Sequence, residues 1–170
     1  MKVLAIDPGA ERLGWAVLQS GPKYIDSGLL TYKRIDIPFQ HYRCELENYM
    51  WDGFTALIRT YHPDLIVNEI LPAVGGGNFV GTQSYLVNVV VSILHAVCIS
   101  KVLPYQQVAA RSVQSKIATK GKAKKISKVR VRNGVVAIFP ELKPRIPDWI
   151  KVFDECDAIA VGLYSLLFDT

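Results

Sequence analysis

The sequence predicts an α/β domain built on a mixed sheet, its first three strands antiparallel and helices flanking it. Three observations carry this. Residues 3–6 and 14–18 are apolar runs on either side of Pro8-Gly9, a hairpin signal. Residues 40–61 switch to a helical period, with Tyr42, Leu46, Tyr49, Met50, Phe54, Leu57, Ile58 and Tyr61 recurring at steps of three and four. Residues 65–67, Leu-Ile-Val, form the short, wholly apolar run of a buried parallel strand. At 170 residues, half of them hydrophobic, residues 1–170 are read as one domain with a sizeable core.

The first strand ends on Asp7. A charged side chain at the lip of an apolar strand either opens a turn, as aspartate before Pro-Gly ordinarily does, or serves a cation. A third strand over residues 24–32 closes an antiparallel meander, and His62-Pro63-Asp64 stops the helix that follows. The run 65–67 then delivers Asn68 and Glu69 at its carboxyl end, where open α/β sheets hold their ligands.

Residues 71–78 contain Pro72 and the triplet Gly75-Gly76-Gly77, which predicts a flexible loop, either in contact with substrate or a plain connector; it lacks the G-K-[ST] ending of a nucleotide-binding loop. Residues 79–100 are apolar on nearly all sides, which predicts a helix central to the core or at a subunit interface, while the many valines leave a strand reading open. His95 within it is read as a hydrogen-bonded core or interface residue rather than a ligand. Residues 102–108 give a further strand and 109–117 a short connection or helix turn. Val129, Val131, Val135, Val136 and Ile138 mark a helix. Pro140, Pro144 and Pro147 mark a loop before the last element, residues 149–168.

Net charge is +5, but its distribution says more. Residues 70–140 hold no Asp or Glu, and ten of the 20 bases fall there: Lys101, Arg111, Lys116, Lys120, Lys122, Lys124, Lys125, Lys128, Arg130 and Arg132. All 15 acids lie elsewhere. One basic face suited to a polyanion, beside a concentration of carboxylates, points to nucleic acid together with metal. The sequence carries no basic-then-apolar leader and no run of about 18 apolar residues, so an intracellular, cytoplasmic protein without a membrane segment is expected, in the host cytoplasm or an organelle if the chain is viral or organellar. Cys44, Cys98 and Cys156 are odd in number and form no C-x-x-C, which predicts buried, reduced thiols.

Asp154 and Asp157 stand three apart at the start of the last helix and so share a face, with Glu155 turned about 100° away and Asp148 and Asp169 further from consideration. With Asp7 and Glu69 they make four carboxylates, a hard-oxygen set suited to Mg²⁺ or its substitute Mn²⁺. Two such ions about 3.5–4 Å apart activate water and stabilise a leaving oxygen in phosphodiester hydrolysis. Joined to the basic middle, this is a nuclease pattern.

The order IDPG, a glycine-bearing second strand, HPDLIVNE, VAAR before a lysine-rich segment, and D-x-x-D-A-x-A in the last helix resembles the RuvC family of Holliday-junction resolvases, in the RNase H-like superfamily. The resemblance spans nearly the whole chain. It implies an RNase H-like fold, a homodimer, and paired symmetric nicking of four-way DNA junctions with two Mg²⁺ ions per site. It carries the metal-ligand role onto Asp7, Glu69, Asp154 and Asp157. A lysine after VAAR approaches the scissile phosphate in the family, which makes Lys125 the match here, with Lys124 next to it. DNA contacts are expected from Arg111, Lys116, Lys120, Lys122, Lys124, Lys125, Lys128, Arg130 and Arg132, with Gly75, Gly76, Gly77 and Phe79 in the loop. Three places depart from the family: Pro72 stands where bacterial relatives carry a stacking aromatic, which leaves Phe79 as the candidate for that part; Gln114 replaces a frequent lysine; and the proline-rich loop is longer. Two rivals stand beside the resolvase: a broader nuclease of the same fold acting on flaps or RNA:DNA hybrids, and a non-catalytic junction-binding protein. The complete carboxylate quartet weighs against the second, because a binding module gains nothing from four mutually repelling acids.

Overall fold

The computed structural model describes residues 1–33, 38–70, 82–119, 128–147 and 153–168. Among these, five strands form one mixed sheet in the order β3-β2-β1-β4-β5. β1 (Lys2–Asp7), β2 (Arg12–Gln19) and β3 (Lys23–Thr31) make the expected antiparallel meander. β4 (Leu65–Ile70) and β5 (Tyr105–Ala109) extend it in parallel on the other side of β1.

Strand alternation sorts the side chains into two cores. Leu4 and Ile6 of β1, with Leu13, Val17 and Ile66, face α1 (Phe39–Tyr61) and α2 (Thr82–Ser100). Val3 and Ala5, with Ala16, Leu18 and Val67, face α3 (Ala110–Ile117), α4 (Lys128–Ile138) and α5 (Asp154–Phe168). Helices therefore cover both faces, as a sheet with apolar residues on each side requires. α1 buries Tyr42, Leu46, Met50, Phe54, Leu57 and Ile58, six of the eight periodic residues read from the sequence, with Tyr49 and Tyr61 half-buried, and ends where His62 takes a left-handed conformation (φ 47°) and donates its N–H to the Ile58 carbonyl.

Several expectations shift. The helix buried nearly all round is α5, where eight residues from Cys156 to Ser165 are buried, and not α2. α2 is a helix, but it is one-sided: Leu86, Val90, Leu94, Val97 and Cys98 are buried while Tyr85, His95 and Ile99 are exposed. His95 sits on that outer face, stacked on Tyr105 at 4.9 Å between ring centroids, so it is not a core residue. Its hydrophobic neighbours in sequence hid the exposed stripe because valine and isoleucine occupy half-covered positions as well. The further strand starts at Tyr105 rather than at 102, because Lys101 and Val102 form the turn out of α2, Val102 with φ 55°. The proline-rich stretch is in part a 3₁₀ helix, Pro140–Arg145. Cys98 and Cys156 are buried, but Cys44 is exposed on the outer side of α1. No helix among the described residues is long and apolar enough to cross a membrane.

Candidate active site

The same alternation that builds the core aims two carboxylates. Asp7 follows Val3 and Ala5 in parity and so points to the α5 side of the sheet; Glu69 follows Val67 to the same side. The parallel register pairs Ala5 with Val67 and Ile6 with Asn68, which brings Asp7 and Glu69 side by side at the carboxyl ends of adjacent strands. On the antiparallel side Asp7 is paired with Gly14. A Cβ on Gly14 would lie 1.9 Å from the Asp154 carbonyl oxygen, so the bare glycine lets the first turn of α5 rest directly on β2. This contact carries Asp154 and Asp157 to the pair on the sheet.

Asp7, Glu69 and Asp157 line a cavity of about 110 Å³ with Gln114, Lys128 and the apolar Val113, Val131 and Ala160. Lys128 Nζ donates to Asp157 Oδ2 at 2.6 Å. Arg12, from the turn side of β2, is ion-paired with Asp154. Glu155 is directed elsewhere: it accepts from Ser27 Oγ (2.5 Å) and from Arg145, which also donates to Ser27 (2.8 Å) and to the Tyr24 hydroxyl (3.1 Å). That network ties β3 and the 3₁₀ helix to the outer side of α5.

The electrostatics are those of a site short of positive charge. Burial, then the negative charges of Asp157, Glu69 and Asp154, push the Asp7 carboxyl up to about 8 against the partial relief of Lys128. Burial and Asp157 likewise raise Glu69, and burial raises Asp157 despite its bond to Lys128. Burial works to lower the Lys128 ammonium, but the bond and charge of Asp157, joined by Asp7 and Asp154, outweigh it and raise that group. Four oxygen-donor side chains that penalise one another's charge suit a hard divalent cation. No three acidic, histidine or cysteine side chains among the described residues are arranged to close on a single ion. Two of the aspartates are instead engaged by cations of the chain, Asp154 by Arg12 and Asp157 by Lys128.

A pH dependence follows with a definite sign. With its carboxyl pushed up to about 8, Asp7 is expected to hold a proton at pH 6–7 in the cation-free protein, and a divalent cation bound there would displace it. Cation affinity should rise about tenfold per pH unit and level off above about 8. Calorimetric titration at pH 6 to 9, in two buffers of different ionisation enthalpy, would detect the released proton; a flat profile would contradict the arrangement. Without cation the native state keeps a proton that the unfolded chain releases near 3.8, so stability should fall from about pH 4 to about pH 8 and then stay level.

The basic residues divide. Arg111 stands in the first turn of α3, at the carboxyl end of β5, on the same edge as the carboxylates. Lys116 lies over the Phe168 ring, at the opposite end of α5 from Asp154, about 20 Å along that helix. Arg130 donates to the Thr119 carbonyl at 2.8 Å, and Arg132 is half-buried with its Nε enclosed. Lys120, Lys122, Lys124, Lys125, Gly75, Gly76, Gly77 and Phe79 lie outside the described residues, as do Pro72, Asp148 and Asp169. Sequence reasoning missed Arg12. It stands alone between the hairpin turn and Leu13, and nothing in its spacing points to a partner 142 residues away.

A family model described as "Crossover junction endodeoxyribonuclease RuvC" matches residues 3–164. Relatives named crossover junction endodeoxyribonuclease RuvC, from two strains of Methylorubrum extorquens, are each 26% identical over 172 residues, covering 96% of this chain and 78% of theirs. Among solved structures, Thermus thermophilus RuvC in complex with a Holliday junction substrate superposes with a TM-score of 0.74 at 16% identity, covering 99% of this chain and 96% of that one. Another Thermus thermophilus RuvC structure gives 0.71 at 19%, covering 97% and 95%. The yeast mitochondrial Holliday junction resolvase Ydc2 gives 0.61 at 17%, covering 95% and 74%. These likenesses establish the fold, an RNase H-like sheet with helices on both faces.

Proposed function

The chain belongs to the RuvC family of crossover junction endodeoxyribonucleases, and on that premise we propose that it resolves four-way DNA junctions by paired, symmetric nicking, as a homodimer. The observation that carries the reading is the gathering of Asp7, Glu69 and Asp157 with Lys128 around one cavity at the carboxyl ends of β1 and β4, with Asp154 one helical turn before Asp157. Divalent-metal dependence comes with the family; the finer reading is two Mg²⁺ ions, or Mn²⁺ in their place, held by Asp7, Glu69, Asp154 and Asp157. When bound, such ions supply an activated water and charge stabilisation for the leaving oxygen.

The chain's own side chains do the rest. Asp7, half-buried at the end of β1, feels the charges of the other three. Lys128, with Lys125 three residues earlier, offers the positive charge that offsets the scissile phosphate. Its bond to Asp157 keeps the ammonium charged and pointed into the cavity. Gln114 lines the same cavity where the family often has lysine, so it contributes hydrogen bonds without charge. Val113, Val131 and Ala160 wall the site with apolar groups, which strengthens the electrostatics inside. Arg111, beside the carboxylates, tracks the DNA backbone together with the lysines of 120–125. Lys116 and Arg130, occupied by contacts of their own, and Arg132, half-buried, contribute less. The outward stripe of α2 is the surface proposed for the dimer.

The test is a mobile four-way junction set beside a linear duplex of matching sequence, in Mg²⁺ and in EDTA. Symmetric paired nicks in the junction alone, abolished by EDTA, are expected. Equal cutting of both DNAs would reduce the reading to a general nuclease, and tight binding without cutting would leave a junction-binding protein.

A further inference from the structure

We propose that Arg12 is a cation-responsive DNA contact: Asp154 holds it in the cation-free chain, and when a divalent cation takes that carboxylate the guanidinium turns into the neighbouring cleft and binds a backbone phosphate of the junction. This rests on the reading above, in which the chain binds branched DNA and a divalent cation.

The cleft, of about 740 Å³, lies between the turn 9–12, the end of β3 with Lys33, and Leu86 and Val87 of α2; Arg12 and Asp154 both line it. It adjoins the carboxylates through Asp154 and is distinct from the smaller cavity that holds Asp7, Glu69 and Lys128. Its charges are balanced, Arg12 and Lys33 against Glu11 and Asp154. A divalent cation on Asp154 removes one of the negative charges and the partner of Arg12 together, so the cleft becomes attractive to phosphate only once the metal site is filled.

The geometry suits an exchange by side-chain rotation. The close approach of Gly14 to the Asp154 carbonyl fixes β2 against α5, and Arg12 is paired across the sheet with Thr31 on the cleft wall, so the backbone on both sides is held. The ion pair itself is exposed, 45% on Arg12 and 22% on Asp154, and pairs of that kind are easily given up. The guanidinium fork matches phosphate oxygens as well as it matches carboxylate. Arg12 thereby couples metal occupancy to DNA affinity from the cleft between β2, β3 and α2.

The experiment uses the full chain, wild type, Arg12→Ala and Arg12→Lys. A fluorescein-labelled four-way junction is titrated by anisotropy at fixed ionic strength, in EDTA and in Ca²⁺, which takes the same oxygen ligands. Ca²⁺ is then titrated calorimetrically without DNA. Wild type should bind the junction about tenfold more tightly in Ca²⁺, the scale of one charge-assisted contact. The gain should fall below about twofold in Arg12→Ala and be intermediate in Arg12→Lys, which keeps the charge and loses the fork. Ca²⁺ alone should bind Arg12→Ala about two- to fivefold more tightly, because an exposed competitor has gone. An undiminished Ca²⁺ gain in Arg12→Ala overturns the phosphate contact, and weaker Ca²⁺ binding by that variant shows Arg12 to be a support of Asp154 instead. Wild type without junction affinity in either condition overturns the parent reading and the DNA half of this one with it.

Discussion

Asp7→Asn is expected to abolish junction cleavage, by about a thousandfold or more, while making the cation-free protein more stable. The loss follows from removing the central carboxylate of the proposed metal set. Charge stabilisation by a bound ion is worth several kcal/mol, on the order of three factors of ten in rate. The gain follows from the same position. Asp7 is buried against three other acids and its carboxyl is pushed up to about 8, so ionising it costs the native state what a neutral amide does not. Wild type should lose stability as pH rises from about 4 to about 8, whereas Asp7→Asn should lose less. At pH 9 in EDTA the variant should melt roughly 10 °C higher, a few kcal/mol in a chain of this size. Cleavage assays and thermal melts on the same preparations check both halves. An inactive variant that was also destabilised would make Asp7 a structural residue.

Gly14→Ala is the second large effect, and it acts without touching a charged group. The added methyl carbon would sit 1.9 Å from the Asp154 carbonyl oxygen and 2.8 Å from the Glu155 nitrogen, so main chain must move. Overpacking of this kind costs about 1–3 kcal/mol, and more when backbone is the obstacle. Displacing Asp154 and Asp157 by about 1 Å from Asp7 and Glu69 should lower cleavage about a hundredfold even where the fold survives. Gly53→Ala is the control. There the new methyl meets only the end of the Leu30 side chain, 2.9 Å away, inside α1, where alanine is the better helix former. That variant should be neutral to stabilising and fully active. Equal losses in the two variants would remove the argument that Gly14 seats the last helix on the sheet.

The carboxylates were legible because their reasons are local. A short apolar run that ends in an acid marks a strand tip, and two acids three apart share a helix face, so Asp7, Glu69, Asp154 and Asp157 stood out before any contact was known. The helix 39–61 was legible for the same reason, its period being written in eight apolar residues. α2 and α5 were harder to rank. Both are rich in valine, leucine and isoleucine, and composition does not say which helix has the sheet on one side and α3 and α4 on the others. The basic residues were the least legible group: their number marks a polyanion partner, but Lys116 over Phe168, Arg130 on Thr119 and Lys128 on Asp157 are separated only by where each helix ends up.

By itself, then, the sequence determined the mixed sheet, the parity that sends Asp7 and Glu69 to one face, and a candidate set of four carboxylates in a chain whose middle is basic. These depend on backbone periodicity, which any reader of the chain can count. Tertiary structure alone decided that Gly14 lies under Asp154, that Lys128 is the described lysine inside the cavity, and that Arg12 closes on an aspartate 142 residues away. Those pairings depend on how elements distant in sequence are packed, and periodicity carries no record of which partner a surface will meet.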